Sequence, residues 1–209
     1  KAVTGHLPLN LTILVEGEEE SGSPNLPAFV EAHRKELAAD VALVCDTGMW
    51  DPHTPAITTS LRGLVYEEII ITCADRDLHS GLFGGAAQNP IRVLSKIIAD
   101  LHDEKGRVAL PDFYEGVHEI PTQILDQWKQ LDVTDFLTQV GLRHAAGEKD
   151  RLLIEQIQSR PTCDVNGIIG GYTGEGTKTV IASQASAKIS FRLVGDQDPK
   201  AISRNFEAF

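Results

Sequence analysis

The 209-residue chain is 42% hydrophobic and 23% charged, the composition of a globular protein with core enough for one large domain or two small ones. Its 30 acidic residues against 19 basic ones give a formal charge of −11, which excludes the basic face that nucleic acid requires. No apolar run is long enough to span a membrane, and Cys45, Cys73 and Cys163 lack the spacing of a disulfide framework, so they read as buried, reduced thiols of a cytoplasmic protein.

Leu11, Ile13, Leu14 and Val15 predict a buried strand over residues 9–16. Ser23 as N-cap and Pro24 behind it predict a helix over 25–39, with Leu26, Phe29, Val30, His33 and Leu37 on one face. Val41 to Cys45 then read as a short strand ending at Asp46. Such a β-α-β unit predicts parallel strands, with Glu19, Glu20 and Asp46 at one edge of the sheet. The turn-rich run Thr47 to Pro55 breaks the chain.

Beyond it, residues 56–61 and 64–74 have the β-branched and aromatic character of strands. A glycine-rich loop over 77–87 carries His79 to a helix that opens at Asn89-Pro90 and runs to about 104. Residues 121–160 read as mostly helical and interrupt the pattern. Strands follow at 163–170 and 185–194, then a helix from Pro199. The second part therefore reads β-α-β-β-α, one strand short of the ferredoxin-like order.

Several residues stand out chemically. Glu18, Glu19 and Glu20 repel one another unless a cation sits among them. Asp46 ends a strand, and His79 lies among glycines that permit close approach. Alternation along Lys188 to Val194 sends Ile189, Phe191 and Leu193 to the core and Ser190 and Arg192 to the other face. The run Gly170 to Thr179 is not a phosphate loop, because Thr177 separates Gly176 from Lys178 and no helix follows.

Five pieces occur in order: Glu16 to Ser23, Val44-Cys45-Asp46, Asp77-Leu78-His79-Ser80-Gly81, Asn166-Gly167-Ile168, and Lys178 to Ile181 leading to Phe191-Arg192-Leu193-Val194. As a set they resemble the aminoacylase/carboxypeptidase superfamily of di-metal peptidases, which includes carnosinase-like dipeptidases, acetylornithine deacetylase and succinyl-diaminopimelate desuccinylase. The resemblance implies an α/β chain: residues 1–58 from a parallel-sheet catalytic domain, then a ferredoxin-like α+β lid over 59–209 that lacks its last strand and carries a helical insertion at about 113–160. It implies Glu19 as general base, Glu20 and Asp46 as metal ligands, and His79 as an oxyanion donor supplied by the partner subunit's lid. Arg192 would clamp the substrate carboxylate, with Thr179 also reaching across a homodimer.

The implied cofactors are two divalent metal ions, zinc by preference, with manganese or cobalt as alternatives. The implied reaction is hydrolysis of a dipeptide or N-acyl amino acid by metal-activated water. The family's remaining His and Asp ligands have no counterpart in this sequence, and two carboxylates alone bind zinc poorly. The chain is accordingly expected to be an internal piece of the enzyme, inactive and metal-free by itself. Two alternatives stay open: deacylation of N-acetyl or N-succinyl amino acids, and a non-catalytic dimerisation module.

Overall fold

The structure is a computed structural model and describes residues 5–131 and 133–209. The chain divides into two compact units that meet between Thr58 and Thr59. In the first, the regular elements are a 3₁₀ turn, Glu19–Ser21, and one helix, α1 (Leu26–Ala32). The strands expected at 9–16 and 41–45 do not form, and neither does the parallel β-α-β unit. Val15 is 85% exposed and Val41 81%. A strand exists only through its ladder, and parallel strands need a crossover and several neighbours before they bury enough surface to persist.

The helix is also shorter than its pattern. Ser23 adopts a left-handed φ of 51°, so the helix starts three residues later, directly after Asn25 and with Pro27 in its first turn. It ends at His33, whose ring stacks on Phe29 at 4.3 Å. Phe29 and Val30 remain exposed, and a short helix without a surface to bury its face gains little from propensity alone.

The second unit contains, in order, β1 (Gly63–Thr72), β2 (Leu78–His79), α2 (Ser80–Phe83), α3 (Pro90–Asp100), α4 (Thr122–Trp128), α5 (Thr134–Gln139), α6 (Leu153–Gln158), β3 (Thr162–Gly170), β4 (Val180–Ile181), β5 (Gln184–Leu193) and α7 (Pro199–Ala208). β1, β5 and β3 form an antiparallel sheet with β5 in the centre, and β2 pairs with β4 in a separate two-stranded ladder. The segment 56–61, expected as a strand, is irregular and exposed at Ile57 and Leu61. Asn166-Gly167 makes a bulge in β3, where the register to β5 shifts between Val165 and Gly167.

Alternation decides which face of the sheet is buried. Val65, Cys163, Ile189, Phe191 and Leu193 form one core with Leu101, Phe113, Ile202 and Phe206, so α3 and α7 both cover that face. α3 begins where Asn89 accepts the Ile91 N–H at 2.9 Å, with Pro90 at the first helical position. α7 begins in the same way, at Asp198 and Pro199.

The expected insertion holds three short helices and a buried charge cluster. Arg160 Nε donates to Glu148 Oε2 at 2.8 Å, and both side chains are buried. Arg151 forks onto Glu119 through Nη1 at 2.5 Å and Nη2 at 2.6 Å. Arg107 lies over the Tyr114 ring, whose hydroxyl accepts the Val108 N–H. Among the described residues no helix is long and apolar enough to cross a membrane.

All three cysteines are free, but only Cys163 is buried; Cys73 is half-buried and Cys45 exposed, since the strand that was to end at Cys45 does not form. Burial pushes the Cys163 thiol up to about 12 from the ordinary 9.0. The folded chain thus keeps a proton that the unfolded chain releases above pH 9. Stability from this group is complete below that pH and falls as pH rises toward 12. Urea unfolding between pH 8 and 11 is expected to show this decline, and Cys163→Ala to flatten it. Phe191→Ala should cost about 3–5 kcal/mol in the same assay, whereas Val15→Ala should stay within about 0.5 kcal/mol.

Candidate active site

The acidic turn is built from its backbone. Glu18 O accepts from the N–H groups of Ser21 and Ser23 at 2.9 and 3.0 Å, and Glu19 O accepts from Gly22. The Glu18 carboxylate is occupied, taking the Asn25 side-chain amide at 2.9 Å through both oxygens. Glu19 and Glu20 are left exposed. Neighbours on a 3₁₀ turn diverge by roughly 120°, whereas neighbours on a strand point to opposite faces. Asp46 lies exposed in an irregular segment of the same unit.

These residues do not by themselves fit a two-metal centre. Among the described residues, no three His, Cys, Asp or Glu side chains converge on a point where an ion could bind. The available donors are carboxylates, while zinc prefers nitrogen and sulfur.

The second unit brings two of the expected residues together. His79 pairs with Val180 across the β2–β4 ladder, and its Nε2 lies 3.2 Å from Thr179 Oγ1. The Gly81 N–H donates to His79 Nδ1 at 3.0 Å. Because Nδ1 is accepting, the proton of the neutral ring sits on Nε2 and points to Thr179, whose own hydroxyl hydrogen stays available for another acceptor. The Ser80 N–H donates to Thr179 O at 3.1 Å, which closes the pair from the backbone side.

Asp77, two residues before His79, anchors this loop, a role that its place in the sequence motif did not reveal. Its Oδ1 accepts the Ser183 N–H at 2.9 Å. That bond, followed by one from the Ser183 side chain, holds the Asp77 carboxyl below the usual carboxylate range. The Cys73 N–H donates to Ser183 O at 2.9 Å, so the His79 loop is strapped to the Thr72–Gln184 end of the sheet.

Arg192 sits at the other end, on the exposed face of β5, opposite Leu64 on one side and Thr162 on the other. Arg62, half-buried just before β1, was also missed. Burial first, and then the Arg192 charge, lowers its pKa, with Asp164 opposing. Thr162 Oγ1 donates to Asp164 Oδ2 at 2.9 Å, leaving two guanidiniums beside one carboxylate. From Gln184 to Arg192 the strand runs about 27 Å, so His79 and Arg192 do not meet within one chain.

Gly81 is the residue on which the His79 pose depends. A Cβ there would meet His79 Cε1 at 2.8 Å and Nδ1 at 3.0 Å. Gly81→Ala is expected to swing the ring away from Thr179 and to speed exchange of the residue 81 amide by about tenfold, measured by NMR.

Residues 59–209 match a family model described as a peptidase dimerisation domain. The chain is 34% identical over 205 residues to the Cys-Gly metallodipeptidase DUG1 of Candida albicans, which covers 94% of this chain and 41% of that protein. It is 28% identical over 208 residues to the Beta-Ala-His dipeptidase of Homo sapiens, covering 98% and 41%. An M20 family metallo-carboxypeptidase from Sulfolobus solfataricus shares its fold with a TM-score of 0.77 at 36% identity, over 92% of this chain and 44% of that one. The chain thus spans about two fifths of the length of the curated relatives it matches. The motif resemblance and the family match agree: the chain belongs to the M20 peptidase dimerisation-domain family.

Proposed function

We propose that this chain works as part of a metal-dependent dipeptidase, in which residues 59–209 are the dimer-forming lid and residues 1–58 belong to the metal-binding catalytic domain. The reading rests on one observation above all. His79 and Thr179 form a donor pair at one end of the lid sheet, while Arg192 stands at the other, about 27 Å of strand away. A dipeptide is far too short to touch both. If all three act on one substrate, they come from different subunits, and a homodimer supplies that arrangement.

On this reading each side chain has a task suited to its chemistry. Arg192 offers a planar fork to the substrate's terminal carboxylate, which a lysine cannot reproduce. The His79 Nε2–H, released from Thr179 as substrate enters, donates to the developing oxyanion, a contribution on the order of 3 kcal/mol. Glu19 is the general base, typically worth about 10²–10⁴ in rate. Glu20 and Asp46 are assigned to the metals, and the reading gives the other ligands to the part of the relatives that this chain does not cover. Two divalent ions, zinc by preference, would supply the activated water. The three free thiols suit a cytoplasmic setting, where they stay reduced.

Mixed dimers of the full-length enzyme test the assignment. His79→Ala and Arg192→Ala should each abolish dipeptide hydrolysis. Mixing the two inactive proteins under subunit exchange should restore about one quarter of wild-type turnover, because half of the dimers then carry one intact site. No recovery on mixing, with both variants folded and dimeric, would place His79 and Arg192 in the same subunit's site and overturn the shared arrangement.

A further inference from the structure

We propose that Tyr172 and Lys178 form a clasp that sets Thr179 against His79, making both positioning residues for the hydrolytic site. The inference rests on the reading of His79 and Thr179 given above. β3 ends at Gly170 and β4 begins at Val180, so residues 171–179 must close a long, glycine-rich connection before Thr179 reaches the imidazole. Such a loop has much backbone entropy to lose, and something must hold it closed.

Tyr172 does so by folding back across its own loop. Its hydroxyl donates to Glu175 O at 2.9 Å. Its ring lies 5.7 Å from Lys178 Nζ, inside the range of cation–π attraction. Gly174 makes room for the ring, since a Cβ there would stand 2.5 Å from the Tyr172 hydroxyl oxygen. The two ends of the connection are thus joined through the residue next to Thr179.

The far side of Thr179 is already fixed. Val180 belongs to β4, its N–H donates to Lys178 O at 2.9 Å, and the Ser80 N–H donates to Thr179 O. The Lys178 charge also acts on Asp77, the carboxylate that anchors the His79 loop to Ser183. One ammonium therefore leans on both segments whose side chains must meet. Without the clasp, Thr179 keeps its tether on the β4 side alone, and its hydroxyl can turn away from Nε2.

Two substitutions remove the clasp with little loss of bulk: Tyr172→Leu takes away the hydroxyl and the aromatic face, and Lys178→Met takes away the charge. In the 209-residue chain each is expected to raise amide exchange at Ser80 by about tenfold while leaving Ile189 in β5 unchanged, and Lys178→Arg to keep the wild-type rate. In the full-length enzyme the same pair should lower kcat by about tenfold with KM within about twofold. Unchanged exchange at Ser80 overturns the clasp. So does faster exchange with wild-type kcat, provided His79→Ala is inactive. If His79→Ala keeps its turnover, the reading of the site fails instead, and the clasp stands or falls on the exchange measurement alone.

Discussion

Strand β5 is hydrogen-bonded along both edges, to β1 and to β3, and the rest of the second unit is arranged around that double pairing. A strand held on both sides cannot slip by one residue without turning every side chain to the wrong face. The register therefore commits Ile189, Phe191 and Leu193 to the layer under α3 and α7, and commits Lys188 and Arg192 to the open face. Phe191 touches the rings of Phe113 and Phe206, so the strand carrying the arginine also carries the centre of the core. Arg192 is consequently presented from a rigid element and not from a loop. That is the placement a carboxylate-binding side chain needs if its fork is to be held in one orientation.

What could be read in the sequence follows from how local each signal is. Alternation over 188–194, the helix start at Asn89-Pro90 and the helix start at Pro199 each report on a few neighbouring residues, and the structure carries all three. The strands at 9–16 and 41–45 were equally apolar, yet apolarity states only that a segment would be buried if a sheet were there to receive it. No ladder reaches them among the described residues, and they lie open. The short helix α1 fails in the same way, since its face has nothing to cover. The meeting of His79 with Thr179 joins residues 100 positions apart and leaves no periodic trace in the chain. Asp77 had no assigned role and Arg62 went unmarked for a related reason: their surroundings are set by Ser183 and Arg192, partners that only the folded sheet brings close.

The insertion shows a different balance of forces. Glu148 and Arg160 are both buried, and taking two charges out of water is costly unless their geometry is good. Here the guanidinium meets the carboxylate through two nitrogens, while Glu119 and Glu155 share the Nη1 of Arg151 and Glu119 also takes its Nη2. Glu155 also accepts the Leu152 N–H, tying the start of α6 to the same cluster. Such a network contributes little net stability compared with an apolar replacement, but it tolerates few alternative arrangements. Its effect is to tie α6 to Glu119 and Glu148, which a helix of six residues could not secure by propensity alone.

These constraints bear on the proposed pairing of residues 59–209 with a second copy. The His79–Thr179 contact depends on a strap at the Thr72–Gln184 end, and Arg192 depends on the register at the Gly63–Leu193 end. The same double pairing that makes β5 stiff keeps those ends apart, so no hinge within the sheet can close the distance. A rigid scaffold whose two ends cannot reach one ligand can still use both, if each end serves a different site that is completed by a second copy. Stiffness and association are then a single design requirement: the more firmly the sheet fixes each group, the more completely the proposed site depends on the partner.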